Sequence, residues 1–205
     1  MIIAFISLKG GVGKSTLAVH AYGYAAREGM NAWLIDMDVQ ASASQWLDAI
    51  DSEANCYHLP DVNDAEKAIK ARSSDSDIVI IDGGGGLIEP TKVGLMLADV
   101  VVIPTKASRL DYAATLEVLR LANQARVARG KNAARVLVVP SMIQAGQLVT
   151  SQLLDELQDL SVPIGPAIHQ RASFAKVAGD NYVWNQRDSN ATAEIEMLMQ
   201  SLIEE

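Results

Sequence analysis

Seven short apolar runs punctuate the chain, near residues 2, 32, 55, 78, 99, 135 and 163, and helix-forming stretches such as Leu110 to Arg129 separate them. Ile2-Ile3-Ala4-Phe5-Ile6-Ser7, Ala32-Trp33-Leu34-Ile35-Asp36 and Ile78-Val79-Ile80-Ile81-Asp82 are apolar almost without interruption. Unbroken rather than alternating hydrophobicity is the mark of a strand buried on both faces. Strands of that kind alternating with helices predict an α/β fold, with a mainly parallel twisted sheet and helices on both faces. No linker is visible, and 205 residues at 49% hydrophobic content can bury one sizeable core. Residues 1–205 are therefore expected to form a single domain.

The turn after the first run carries the chemistry. Residues 9 to 16 read Lys-Gly-Gly-Val-Gly-Lys-Ser-Thr, between an apolar strand and a helical stretch beginning at Leu17. In that setting Gly10, Gly11 and Gly13, with Val12 among them, let backbone N–H groups converge, and the helix N-terminus adds partial positive charge. Phosphate is the natural guest. The phosphate-binding-loop motif gives Lys14 the β- and γ-phosphates and Ser15 a direct bond to Mg2+; Thr16 is placed to support the α-phosphate. Leu8 stands where the common pattern has Gly, and Lys9 is an additional lysine. Two more strands end in acids, Asp36-Met37-Asp38 and Asp82. Ligands of parallel sheets sit at the carboxyl ends of strands, so Lys9, Asp36 and Asp82 are expected on one edge. Alone, strand-end acids read as helix caps; following a phosphate loop they read as functional carboxylates, with Asp82 as the Walker B acid that holds Mg2+.

Lys9 makes the loop resemble the deviant Walker A motif of the ParA/MinD family of ATPases. Asp36-Met37-Asp38-Val39-Gln40 is similar to that family's Asp-x-Asp-Pro-Gln, with Val39 in place of Pro. Gly83-Gly84-Gly85-Gly86 stands where the family tends to write Asp-x-Pro-Pro or a related turn, and reads as backbone free to approach the γ-phosphate or to switch. Ile168 to Lys176 and the closing helix around Ala193 to Ile203 resemble the ending of small plasmid-type ParA proteins. The resemblance implies a P-loop NTPase with ATP and Mg2+ as cofactors, and a homodimer that sandwiches ATP. In it Lys9 reaches the partner's phosphates and Lys14 stabilises charge, while Asp38 orients the attacking water and Asp36 and Asp82 support the metal from behind. It further implies slow hydrolysis stimulated by a ParB-type or small centromere-binding protein, nonspecific DNA binding, and partition of plasmid or chromosomal DNA. Positioning of a protein cargo, or phosphoryl transfer to a small metabolite, are the alternative readings.

Charge qualifies the DNA expectation. Net charge is −8, from 17 basic and 25 acidic residues, which disfavours nucleic acid overall. Between Val118 and Leu154, however, there are five basic residues and no acid. Arg126, Arg129, Arg171 and Lys176 are the DNA-contact candidates; a solvated helix face is the bland reading of the same residues. Cys56, the single cysteine, excludes a disulfide framework and leaves no thiolate pair for an iron-sulfur cluster. His20 reads as structural, and His58 and His169 lack metal-ligand spacing. Trp33, Trp46 and Trp184 read as packing residues. No apolar run approaches membrane-spanning length, and Glu204 and Glu205 end the chain with charge that anionic lipid repels. The expected location is the cytoplasm, on the nucleoid when ATP is bound, with no membrane partner. The chain is expected to lack an N-terminal operator-reading domain.

Overall fold

In the computed structural model, which describes residues 1–203, seven parallel strands form one sheet in the order β3-β2-β4-β1-β5-β6-β7. The strands are β1 (Ile2–Phe5), β2 (Ala32–Asp36), β3 (Cys56–His58), β4 (Ile78–Asp82), β5 (Val100–Thr105), β6 (Arg135–Ile143) and β7 (Ile168–His169). Helices α1 (Lys14–Arg27), α2 (Ser42–Ile50), α3 (Val62–Asp75), α4 (Ile88–Leu97), α5 (Arg109–Arg129) and α6 (Leu148–Gln158) follow the first six strands in turn. The short α7 (Ala172–Val177) and the long α8 (Ser189–Ile203) close the chain. This is the α/β architecture that the strand pattern predicts, in the P-loop NTPase form that the phosphate loop and the resemblance imply.

Two-residue periodicity divides the core. Ile3, Phe5, Leu34, Ile80 and Val102 point to one face, where they meet Leu17, Trp46 and Leu198 from α1, α2 and α8. Their neighbours Ala4, Ile35, Ile81 and Val101 point to the other, against Ile69, Leu95, Val118 and Leu153 from α3 to α6. Both faces are covered, which is why the central strands read as unbroken apolar runs. Pro104 lies inside β5, where a missing N–H would break a two-sided ladder. It is tolerated because β1 pairing stops at Phe5↔Val102, leaving only β6 beside it.

Two sequence expectations change in detail. The run near 163 is not a strand: Ile164 makes one isolated bridge to Val138, and the seventh strand lies at Ile168–His169. The run near 55 yields only Cys56–His58, an edge strand. Among the described residues no helix is long and apolar enough to cross a membrane. Glu204 and Glu205, on which the lipid argument leaned, lie outside the described residues.

Candidate functional site

Three strand ends meet at the site. Register pairs Phe5 with Asp82 and Asp36 with Asp82, so β1, β4 and β2 deliver the phosphate loop and two acids side by side. Gly11 and Gly13 take left-handed φ of 72° and 95°, which a side chain resists. Gly13 caps α1 without a side-chain hydrogen bond, so the first-turn N–H groups of that helix remain available to an anion. The loop is braced from β6. The Ser141 hydroxyl donates to the Val12 carbonyl at 2.7 Å, and a Cβ on Gly13 would stand 3.1 Å from the Ser141 oxygen. Ser141 belongs to a bulge in which Met142 adopts φ 53°, a strained value for a side-chain-bearing residue.

The acids divide into satisfied and unsatisfied groups. Asp36 is fully buried and accepts from the Asp38 and Ser44 N–H groups, both at 2.9 Å. Asp38 is half-buried; one oxygen accepts from Gln40 N–H at 2.9 Å and the other from Gly85 N–H at 3.2 Å, tying the β2 loop to the glycine run. His58, from the edge strand, donates to the Asp38 carbonyl at 2.9 Å. Asp82 is also fully buried, yet neither carboxylate oxygen has a hydrogen-bond partner among the described residues. Burial, and then the charge of Asp36 with a smaller push from Asp38, raise its pKa to about 7; Ser15 and Lys14 oppose the rise. The Ser15 hydroxyl stands near enough to favour the ionised carboxylate without meeting hydrogen-bond geometry. An orphaned carboxyl beside the phosphate-loop serine is the environment a divalent cation compensates. The residues therefore fit Mg2+, which Ser15 would ligate directly, with Asp82 and Asp36 behind it.

The glycine run does not provide the freedom its composition suggests. A Cβ on Gly83 would come within 2.8 Å of Ile6 Cγ2, and one on Gly84 within 3.1 Å of the Met37 carbonyl oxygen. One on Gly85 would lie 3.3 Å from Lys14 Nζ; only Gly86 uses a positive φ. These glycines let two loops and a lysine close over one another. Close approach, rather than mobility, explains at least three of the four.

Lys14 is buried at 6% exposure, beside the glycine run. Lys9 is turned the other way. Its backbone N–H donates to Ser7 Oγ, and its ammonium lies 3.8 Å from Asp111 Oδ2 in the first turn of α5. The two lysines thus occupy different surroundings in the single chain.

Beside the loop opens a cavity of about 490 Å³, lined by Gly13, Thr16, Met142, His169, Arg171 and Phe174 among others. Its size and mixed lining suit a nucleoside. A second hollow of about 530 Å³, between Leu119, Arg126, Val136 and Pro163, lies at the amino ends of the strands, remote from the acids. His20 braces the first cavity from beneath. It is fully buried, donates from Nδ1 to the Thr16 carbonyl at 2.7 Å and accepts the Val183 N–H at Nε2. The rings of Trp46, Phe174, Tyr182 and Trp184 meet it edge-on at 5.5 to 6.0 Å. Trp46 and Trp184 are packing residues, as their scatter implies; Trp33 stacks under Arg72 at the β3 edge.

The four DNA candidates do not form one patch within the chain. Arg126 is exposed near the amino ends of the strands, while Arg171 and Lys176 lie on the opposite side, around α7. Arg129 donates to the Leu95 and Ala98 carbonyls at 2.9 and 2.6 Å, closing the end of α4. Arg171 is engaged by Glu194 and lies 4.0 Å from Asp188. Those two guanidinium groups are engaged within the chain; exposed Arg126 donates from Nε to Asn123 Oδ1 at 3.3 Å, and Lys176 is exposed on α7. The sequence places Pro140-Ser141-Met142 where the resembled family has its base-contacting loops, but it does not reveal the Ser141 brace on Val12, nor His169, Phe174 and Glu194 as parts of the cavity and its support. Glu194 had a signal: an acid on the stripe that Ala191, Ile195 and Leu198 otherwise keep apolar.

Comparison with known proteins agrees with this geometry. The profile of the family described as CobQ/CobB/MinD/ParA nucleotide binding domain matches residues 3–182. Protein ParA of Rhizobium radiobacter is 25% identical over 205 residues, covering 95% of this chain and 91% of its own. Maintenance of carboxysome distribution protein A of Gloeobacter kilaueensis is 29% identical over 123 residues, covering 59% and 56%. Apo McdA of Cyanothece superposes with a TM-score of 0.80 at 16% identity over 98% of each chain, a likeness of fold. A phosphate loop, two strand-end acids and a match over most of the chain make this protein an ATP-hydrolysing P-loop NTPase of the CobQ/CobB/MinD/ParA nucleotide-binding family, with Mg-ATP as its ligand.

Proposed function

We propose that the chain is a positioning ATPase in which ATP promotes self-association and hydrolysis reverses it. The observation that carries this reading is the pair of lysines in separate surroundings. Lys14 is buried against the glycine run, whereas Lys9 sits at the rim with its side chain 36% exposed, and among the described residues its ammonium meets one acid, Asp111, at 3.8 Å. A lysine so placed is free to leave Asp111 and meet the phosphates of a facing subunit, where it offsets repulsion between two triphosphates. Asp38 orients the attacking water, its carboxylate held between Gln40 and Gly85 N–H groups. The cavity beside Gly13 and Thr16 receives the nucleoside. Mg2+, when bound, neutralises phosphate charge and fixes the phosphate oxygens.

Two readings of the cargo each have support. The relative matched at nearly full length in both directions is named ParA, which favours plasmid or chromosomal DNA with a ParB-type partner and nonspecific DNA as the track. The relative named for carboxysome distribution favours a protein assembly as cargo. ATP turnover measured with random-sequence DNA and with the product of the neighbouring gene tests both. Stimulation by a centromere-binding protein supports the first; stimulation by a protein that binds an assembly supports the second. Turnover that requires a small metabolite instead would overturn the positioning role and favour phosphoryl transfer.

A further inference from the structure

Glu194 is 5% exposed, and α8 carries it into the apolar layer among Ala191, Ile195 and Leu198. A carboxylate there is costly unless its oxygens are matched. They are matched four times. Oε2 accepts the His169 backbone N–H at 3.0 Å, and Oε1 accepts His169 Nδ1 at 2.9 Å, Arg171 Nε at 3.1 Å and Arg171 Nη2 at 2.6 Å. Arg171 and His169 are both wall residues of the cavity beside the phosphate loop. Three bonds on one oxygen set the guanidinium plane and the imidazole ring relative to each other, and with Nδ1 committed, Nε2 is the ring atom left for a ligand.

We propose that Glu194 is a positioning residue for nucleotide binding. It fixes Arg171 and His169 on the cavity wall, so that affinity for the nucleoside end of ATP is set from the last helix. The inference rests on the reading that this cavity receives the nucleoside. On that basis Arg171 serves the nucleotide rather than DNA, and α8 is part of the site although it touches no phosphate-loop residue through this carboxylate. Preorganisation of a wall spares the ligand the cost of ordering two long polar side chains.

The test compares binding of a nonhydrolysable ATP analogue with that of inorganic tripolyphosphate, both with Mg2+, by titration calorimetry. Wild type is measured beside Glu194→Gln, Arg171→Ala, the double variant and Ala175→Trp, the last of which fills the cavity. Glu194→Gln is expected to weaken the nucleotide about tenfold while leaving tripolyphosphate within about twofold. Arg171→Ala should match it, and the double variant should lose no more than the worse single change. A lower melting temperature with unchanged affinity for both ligands would make Glu194 only an anchor for α8 and overturn the proposal. Equal weakening of both ligands would place its effect on the phosphate loop and overturn it too. If Ala175→Trp binds the nucleotide like wild type, the cavity does not hold the nucleoside and the proposal falls with that reading. If Glu194→Gln does not fold, Glu194→Asp, which keeps the charge but draws the oxygens back from Arg171 and His169, decides: selective loss of nucleotide affinity sustains the proposal, and none refutes it.

Discussion

Asp82 and Asp38 show how residues alike in sequence are separated by surroundings. Asp82 is buried with no hydrogen-bond partner among the described residues, its pKa pushed up to about 7 by desolvation and by Asp36. Asp38 keeps partial access to water and two backbone donors. The first suits charge storage for a cation; the second suits holding a water molecule. Asp38→Asn is therefore expected to retain nucleotide binding and to slow single-turnover hydrolysis on the order of a hundredfold. A rate within twofold of wild type would remove Asp38 from the chemistry. His20 makes a separate prediction. Burial lowers its pKa from 6.5 to about 4, so the folded state holds it neutral while the unfolded chain binds a proton below 6.5. Its contribution is fully present above pH 6.5 and is lost as pH falls toward 4, by at most about 3 kcal/mol. The stability difference between wild type and His20→Asn, followed by denaturant titration, should shrink across that window. A difference constant from pH 7 to 4 would contradict the assignment.

At the scale of elements, the phosphate loop, the two acid-bearing strands and the alternating architecture were legible because each leaves a local mark: spaced glycines, unbroken apolar runs and terminal carboxylates. The remainder was not, because it depends on who packs against whom. Nothing local indicates that Gly83 and Gly84 are glycine to admit Ile6 and the Met37 carbonyl, or that Arg129 spends its charge on the end of α4. The seventh strand was misplaced for a similar reason, since two residues of ladder leave no periodicity to read. Ser141 gripping Val12 across 129 residues is likewise invisible before folding. Gly84→Ala tests the packing account. It should destabilise the protein by about 1–3 kcal/mol through overpacking and displace the Asp38 loop, lowering turnover as well. Unaltered stability and turnover would restore the run to the role of a flexible hinge.

Across the whole molecule, a net charge of −8 must be reconciled with the DNA reading. Arg126 and Lys176 are both exposed but lie on opposite sides of one chain, so a shared stripe requires a second copy. Removing either charge should weaken binding to random DNA and reduce the slope of log affinity against log salt by about one per lost phosphate contact. Slopes identical to wild type would move the DNA surface elsewhere or favour the protein-cargo reading. Binding of DNA only by the ATP-loaded protein would tie that surface to self-association.

Self-association is the central claim, and sedimentation velocity with Mg2+ and a nonhydrolysable ATP analogue tests it most directly. Wild type is expected to shift from monomer to dimer when the nucleotide is added, and Lys9→Ala, which leaves Lys14 and the loop intact, is expected to bind nucleotide yet remain monomeric. A Lys9→Ala protein that dimerises like wild type, or a wild type that stays monomeric at saturating nucleotide, would contradict the account.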